Sequence, residues 1–256
     1  MKKTNFNIFI VLFALLVFVV LIDQLRWQQT APPADQTVLQ EDTLLQNLVN
    51  KIKNKQKLTS IKKRILKRHI QKKIAIYEPV ITKFSKRYGM DWRLIVAQIL
   101  KESRFAEKSV SYMGAKGLMQ IMPRTAREIS RELKIQGVIK NPRANIIGGI
   151  YHMSKQLRFF RKAEFDNRIR FALAAYNCGA GHVFDAQDIS VYQKRDPREW
   201  VNIRPNLMML KKKHYPLHLK VWPSGIPEYG YFYDHKQTLN YVADIMDYYE
   251  MLKMIF

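Results

Sequence analysis

The chain is 256 residues long, 47% hydrophobic and 12% aromatic, and carries 44 Lys+Arg against 21 Asp+Glu, a formal net charge of +23. That much apolar material in a chain of one- or two-domain length excludes a disordered or collagen-like protein, and a single cysteine, Cys178, excludes an internal disulfide framework. The positive excess calls for an anionic partner, whether nucleic acid, membrane surface or acidic polymer, and does not choose among them.

Lys2 and Lys3 precede an apolar run from Phe6 to Ile22, interrupted only by Asn7. At about 1.5 Å rise per residue this run reaches roughly 25 Å, enough to cross a bilayer core. The alternative is a cleaved signal peptide. The run is long for one, and the following Asp23, Gln24, Leu25, Arg26 and Trp27 offer no small-x-small cleavage site. Residues 1–27 therefore read as an uncleaved membrane anchor with Trp27 at the interface. The amino-terminal lysines orient it N-inside and place the remainder outside the cytoplasm, which disfavours nucleic acid as the partner.

Residues 28–43 are polar and proline-broken, a linker by composition. From Leu44 apolar residues return at helical spacing: Leu48, Ile52, Leu58, Ile61, Ile65, Ile70 and Ile74. Eleven Lys/Arg and no acid lie between Lys51 and Lys73. Residues 28–74 read either as a solvated stalk whose apolar stripe packs on the following domain, or as a basic helix lying on anionic lipid or polymer. Residues 1–73 carry +10 and residues 74–256 carry +13, so the body is basic in its own right.

The body, residues 75–256, reads as all-α. Helical periodicity runs through residues 76–87, 92–105, 123–133, 145–160, 169–176 and 239–254, with Gly-, Pro- and aromatic-rich stretches between. No phosphate-cradling glycine loop and no His/Cys cluster with metal spacing is present; His214 and His218 are four apart but Pro216 separates them. Asp91 is a good N-cap for the helix that follows, in which Trp92, Ile95, Val96 and Ile99 define a buried stripe. Glu102 falls at the border of that stripe, near the helix C-terminus. Partial desolvation and the helix dipole both raise the pKa of a carboxyl there, as a general acid requires. Spacing alone equally permits a surface Glu in an i,i+4 pair. Beyond it, residues 111–123 pack glycines, methionines and the Gln120 amide between two helices, and residues 172–183 end a helix in a glycine-rich turn bearing Tyr176 and Asn177.

Four stretches carry a resemblance. Glu102-Ser103-x-Phe105, then Gly114-Ala-x-Gly117-Leu-Met-Gln120-Ile-Met122-Pro123-x-Thr125-Ala126, then Ala174-Ala-Tyr176-Asn177-x-Gly179, then Tyr241-Val242 resemble the ordered motifs of family 1 lytic transglycosylases, with their goose-type-lysozyme-like SLT catalytic domain. The 181–215 stretch is most similar to the membrane-bound F-type members. Residues 28–75 are too few for the solute-binding-like module that precedes the catalytic domain in those members. The resemblance covers roughly residues 76–254 and implies a lysozyme-like (SLT) helical domain there, behind the N-terminal transmembrane helix and basic helical stalk read from the apolar run and the charge pattern. Together with the N-inside orientation of that anchor, it leads to the expectation of a bacterial inner-membrane location with the catalytic domain on the extracytoplasmic side.

Its implied chemistry is non-hydrolytic cleavage of the MurNAc-β-1,4-GlcNAc bond of peptidoglycan glycan strands, without metal or other cofactor. Glu102 is the implied sole catalytic carboxylate, acting as acid and then as base while the muramyl C6 hydroxyl closes a 1,6-anhydro ring. Ser111, Gln120, Met122, Tyr176, Asn177 and Tyr241 match substrate-contacting positions, with Tyr176 expected near Glu102. Two positions depart from the family pattern, Gln237 where many members have Glu and Cys178 after Asn177; the lone His182 fits the F-type pattern and reads as a structural hydrogen-bonder. Two other readings stand beside this one. A hydrolytic muramidase would need a second carboxylate, for which Glu107, Asp185 and Asp188 are the nearby candidates. A non-catalytic scaffold would only grip glycan.

Overall fold

The structure, a computed structural model, describes residues 68–256; the anchor expected at residues 6–22 and all but the end of the stalk lie outside the described residues. Among the described residues the fold is helical: α1 (Arg68–Arg87), α2 (Trp92–Glu102), α3 (Pro123–Leu133), α4 (Pro142–Phe159), α5 (Phe165–Cys178), α6 (Ala180–Tyr192), α7 (Trp200–Met209), a 3-10 turn (Lys212–His214), α8 (Tyr215–Val221) and α9 (His235–Ile255). Extended pairing in the described residues is limited to two isolated bridges, Val110 with Lys116 and Lys116 with Ile121. No described helix is long and apolar enough to cross a membrane. The last two apolar positions of the expected stalk, Ile70 and Ile74, are both buried in α1, which runs through position 74 without a break.

Helix α2 is the axis of the body. The sequence suggests one buried stripe, but every residue from Leu94 to Leu100 is buried, because α1 and α9 both pack on it. A helix apolar on all sides belongs in the interior, and here the only polar residue in that run is Gln98. Helix α9 lies antiparallel to α2, tied to it at three levels. Tyr249 donates to Asp91 (3.0 Å), Lys101 pairs with Asp244 (2.7 Å), and Tyr241 donates to Glu102 (2.6 Å).

Asp91 begins α2 by accepting from the Arg93 backbone N–H at 2.9 Å and from the Arg93 guanidinium at 2.7 Å. Burial opposes its ionisation, but the Arg93 and Tyr249 hydrogen bonds outweigh that and hold its carboxyl below the usual range. Asp91→Ala removes the cap and orphans the Tyr249 hydroxyl. The expected cost is about 2 kcal/mol, the upper end for an N-cap, read as a drop in the denaturation midpoint at unchanged m-value.

Helices α5 and α6 are split by one residue, Gly179, at φ +89° and ψ 143°, a conformation that L side chains avoid. The break ends α5 just past Tyr176 and Asn177, and α9 packs against this same helix. The C-terminal ends of α2 and α5 and the first turns of α9 thereby meet at one place.

Candidate active site

Glu102 ends α2 and is half-buried. Burial pushes its carboxyl up to about 7, against the opposing pull of the Tyr241 hydrogen bond and the positive charge of Lys101. No second carboxylate contributes to that rise. A carboxyl poised near neutrality, protonated in a large fraction of molecules and able to ionise, suits both halves of acid–base work.

The Tyr241 hydroxyl donates to Glu102 Oε1 at 2.6 Å, although 139 residues separate them in sequence. Tyr241 is only 3% exposed, so it meets Glu102 from the protein interior. Tyr176, half-buried, sends its hydroxyl to the Met119 carbonyl at 2.9 Å instead. The charge of Glu102 still reaches Tyr176, which burial and that charge push far above the normal phenol range. His152 packs edge-on against the Tyr176 ring at 5.0 Å, and burial holds its imidazole down to about 4, so it is neutral at physiological pH.

Between α2 and α3 the loop 103–122 is held from three sides. Ser103 Oγ donates to the Leu118 carbonyl at 2.9 Å. Asn145 of α4 accepts from the Met119 N–H at 2.8 Å and donates to the carbonyls of Lys116 (3.0 Å) and Val138 (2.9 Å). Tyr176 takes the Met119 carbonyl, so the backbone of this one residue is held on both sides of its Cα, in two consecutive peptide groups. Gly117, at φ +84°, passes so close to Asn145 that a Cβ would stand 2.6 Å from its Nδ2. Gln120 adopts φ +46° and spends its amide nitrogen on the carbonyls of Gly117 (2.8 Å) and Ser109 (3.2 Å). Ser111 Oγ accepts from the Ala115 N–H at 3.0 Å, closing the turn that carries Tyr112 and Met113 into solvent.

Asn177 accepts from the buried Thr238 hydroxyl at 2.8 Å, which binds the end of α5 to the start of α9. Met122 is 40% exposed, immediately before Pro123 opens α3. A cleft of about 1010 Å³ starts at Pro123 and is lined by Arg127, Arg131 and Lys140, with no acid in its wall. Glu102, Gln120, Tyr176, Asn177 and Tyr241 are thus brought together through α2, the 103–122 loop, α5 and α9. Ser111 lies midway along the same loop and Met122 at its end.

The other acids are engaged elsewhere. Glu107 pairs with Lys73 at 2.7 Å. Asp185 is fully buried and accepts from the Tyr229 N–H at 3.1 Å; burial pushes it up to about 6. Burial also raises Asp188, and a Trp222 hydrogen bond partly restrains it. Cys178 is a free thiol that burial pushes up to about 12, so it stays protonated and is a poor nucleophile. His182 stacks on Phe232 at 4.6 Å and burial lowers its pKa. Among the described residues no group of three or more His, Cys, Asp or Glu is placed to hold a metal.

Sequence reasoning missed Asn145, Gln98 and Thr238. Their signal was faint: Gln98 is one polar residue in a run otherwise apolar, Asn145 and Thr238 are short polar residues near helix starts, and each is found only by asking where its hydrogen bonds go.

Residues 79–199 match the family model described as Transglycosylase SLT domain. The membrane-bound lytic murein transglycosylase F of Desulfosudis oleivorans is 33% identical over 178 residues, 69% of this chain and 36% of that protein. The protein of the same name from Stutzerimonas stutzeri is 30% identical over 188 residues, 73% of this chain and 36% of that one. The chain therefore spans about a third of the length of these relatives. Among solved structures, the 70 kDa soluble lytic transglycosylase of Escherichia coli is 21% identical with a TM-score of 0.49, over 70% of this chain and 24% of that one. By that family match and the sequence relatives that share this region, residues 79–199 of the chain belong to the transglycosylase SLT-domain family.

Proposed function

We propose that this chain is a peptidoglycan lytic transglycosylase that cleaves the MurNAc-β-1,4-GlcNAc bond to leave 1,6-anhydro-MurNAc ends, held at the inner membrane by residues 6–22 with residues 75–256 on the extracytoplasmic side. The observation that carries it is the setting of Glu102, raised to about 7 and holding the Tyr241 hydroxyl at 2.6 Å, while the candidate second acids Glu107, Asp185 and Asp188 are bonded to Lys73, Tyr229 and Trp222. A hydrolytic glycosidase uses two carboxylates, one for the sugar and one for water or the covalent intermediate. An enzyme whose nucleophile is a hydroxyl of its own substrate needs only one.

Glu102 first gives its proton to the glycosidic oxygen as the C1–O bond breaks and GlcNAc departs. Its carboxylate then takes the proton of the muramyl C6 hydroxyl as that oxygen bonds to C1. Atoms balance without water, and Glu102 ends protonated as it began. Tyr241 supports the carboxylate between the two steps by donating to Oε1. Tyr176 and Asn145 hold the Met119 backbone, and Gln120 and Asn177 contact the sugars from their places beside it. The cations Arg127, Arg131 and Lys140 give the adjoining cleft the sign an anionic wall polymer requires.

The test is mass spectrometry of purified sacculi digested with the 256-residue chain, beside Glu102→Gln. Anhydromuramyl products that vanish in the variant are the expected result. Reducing-end products would overturn the non-hydrolytic assignment, and binding without products would overturn catalysis altogether. The anchor is tested separately by deleting residues 6–22: the chain is expected to move from the membrane fraction to the soluble one.

A further inference from the structure

Gln98 stands one helical turn before Glu102, on the same face of α2, in a run that is otherwise apolar. It is fully buried, and its Nε2 donates to the Tyr241 hydroxyl oxygen at 3.1 Å. Its Oε1 is also buried and has no hydrogen-bond partner. An unpaired buried carbonyl lowers stability, and an apolar side chain of the same length would remove that penalty. The amide is therefore a poor choice for packing alone.

The Tyr241 oxygen has one proton and its lone pairs to arrange. It lies 2.6 Å from Glu102 Oε1, a contact that requires a hydrogen between the two oxygens. With Gln98 donating into the phenol oxygen, the phenol proton is directed at the carboxylate. Without Gln98, a protonated Glu102 is free to turn its own proton onto Tyr241, where it is of no use to a leaving group.

We propose that Gln98 is a positioning residue of the acid–base site: by donating to Tyr241 it fixes that hydroxyl as a donor to Glu102 and keeps the acidic proton on the Glu102 oxygen that does not face Tyr241. This rests on the reading of Glu102 as the proton donor. A donated hydrogen bond also polarises the phenol and strengthens its own donation to the carboxylate. Both effects are lost together when the amide is removed, and both losses favour the protonated form of Glu102.

The test is Gln98→Met in the 256-residue chain, alone and combined with Tyr241→Phe. Three quantities are measured: thermal stability, the pH dependence of anhydromuramyl product release from sacculi, and the 13C chemical-shift titration of the Glu102 carboxyl. Gln98→Met is expected to melt at or above the parent temperature. Its kcat should fall about tenfold, and the alkaline limb and the Glu102 titration should both move up by about half a pH unit. In the Tyr241→Phe background, Gln98→Met should shift neither further, since the two act through one chain.

A titration and kcat within error of the parent would overturn the proposal. So would a lower kcat at an unmoved titration, or an effect that persists undiminished beside Tyr241→Phe. Loss of folding in both Gln98→Met and Gln98→Leu would also overturn it, because it would show that the amide is needed for packing. The carboxyl titration requires no turnover. If the parent chain releases no anhydromuramyl product, the functional reading fails on its own, while the titration still decides whether Gln98 acts on Glu102.

Discussion

Glu102→Gln is expected to lower kcat/KM on sacculi about 10³-fold, within the range a positioned general acid supplies, and at the same time to stabilise the fold at pH 8. The second half follows from linkage. Burial places the native carboxyl at about 7, whereas the ordinary value is 4.5. Below 4.5 the folded and unfolded chains both hold the proton and the residue contributes fully. As pH rises from 4.5 to about 7, the unfolded chain releases a proton that the native one retains, so stability falls across that window and stays low above it. That displacement is worth roughly 3 kcal/mol. Gln stays neutral throughout and avoids the penalty, though its amide replaces the strong Tyr241–carboxylate bond with a weaker one. A net gain of about 2 kcal/mol at pH 8, shrinking to none at pH 4, is the expected signature. Urea unfolding of both proteins at the two pH values measures it, and a difference independent of pH would remove the raised pKa from the account. On the proposed mechanism the same ionisation sets the rate: product release per molecule should fall tenfold per pH unit above about 7. An acid held in a position that costs stability is what a functional site, rather than a packing site, is expected to show.

What the sequence discloses and withholds can be traced to particular residues. The end of α2, the Pro123 start of α3 and the 239–254 periodicity lie close to the observed helices because caps, prolines and 3.6-residue periodicity are local signals. Helices α6, α7 and α8 escape that reading. The first begins Gly179-Ala-Gly181, the second carries Pro205 inside it, and the third has only seven residues with Pro216 in its first turn. Their helicity is imposed by packing, which propensity does not record. Glu102 at the margin of α2 is visible from the spacing of Ile95 and Ile99, but its environment is not. The sequence points to Tyr176 as its neighbour, whereas the hydroxyl that reaches it belongs to Tyr241, brought there by an antiparallel pairing of α2 and α9 across 139 residues. Gln98 and Asn145 are illegible for a related reason. A buried amide is recognisable only by partners that fold from elsewhere in the chain, 143 residues away for Gln98 and 26 for the Met119 bond of Asn145.

Asn145→Ala carries the largest expected effect on the fold. It strands the Met119 N–H and the Val138 carbonyl, and takes from the Lys116 carbonyl one of its two donors, the other being the Ile121 N–H at 3.0 Å. At about 1–2 kcal/mol for each of the two groups left without a partner, and about 1 kcal/mol for the bond lost to Lys116, the loss comes to about 4 kcal/mol. Activity should fall further than stability alone explains, because the carbonyl of the same residue, Met119, is the anchor point of Tyr176 and joins it to Gln120. A protein with 5–15 kcal/mol of native stability would remain largely folded at 25 °C, so a rate loss measured there reports the loop and not the folded fraction. Gly117 supplies the control. Gly117→Ala places a methyl 2.6 Å from Asn145 Nδ2 at φ +84°, and is expected to cost about 3 kcal/mol on its own, from the clash and from the left-handed backbone. With Ala already at position 145 the clash is gone and only the backbone cost remains, about 1 kcal/mol. The double variant should therefore be about 2 kcal/mol more stable than the sum of the single losses predicts. Additive losses would mean that Gly117 and Asn145 support the loop separately; a coupling of that size would identify their contact as the point on which the substrate loop is hung.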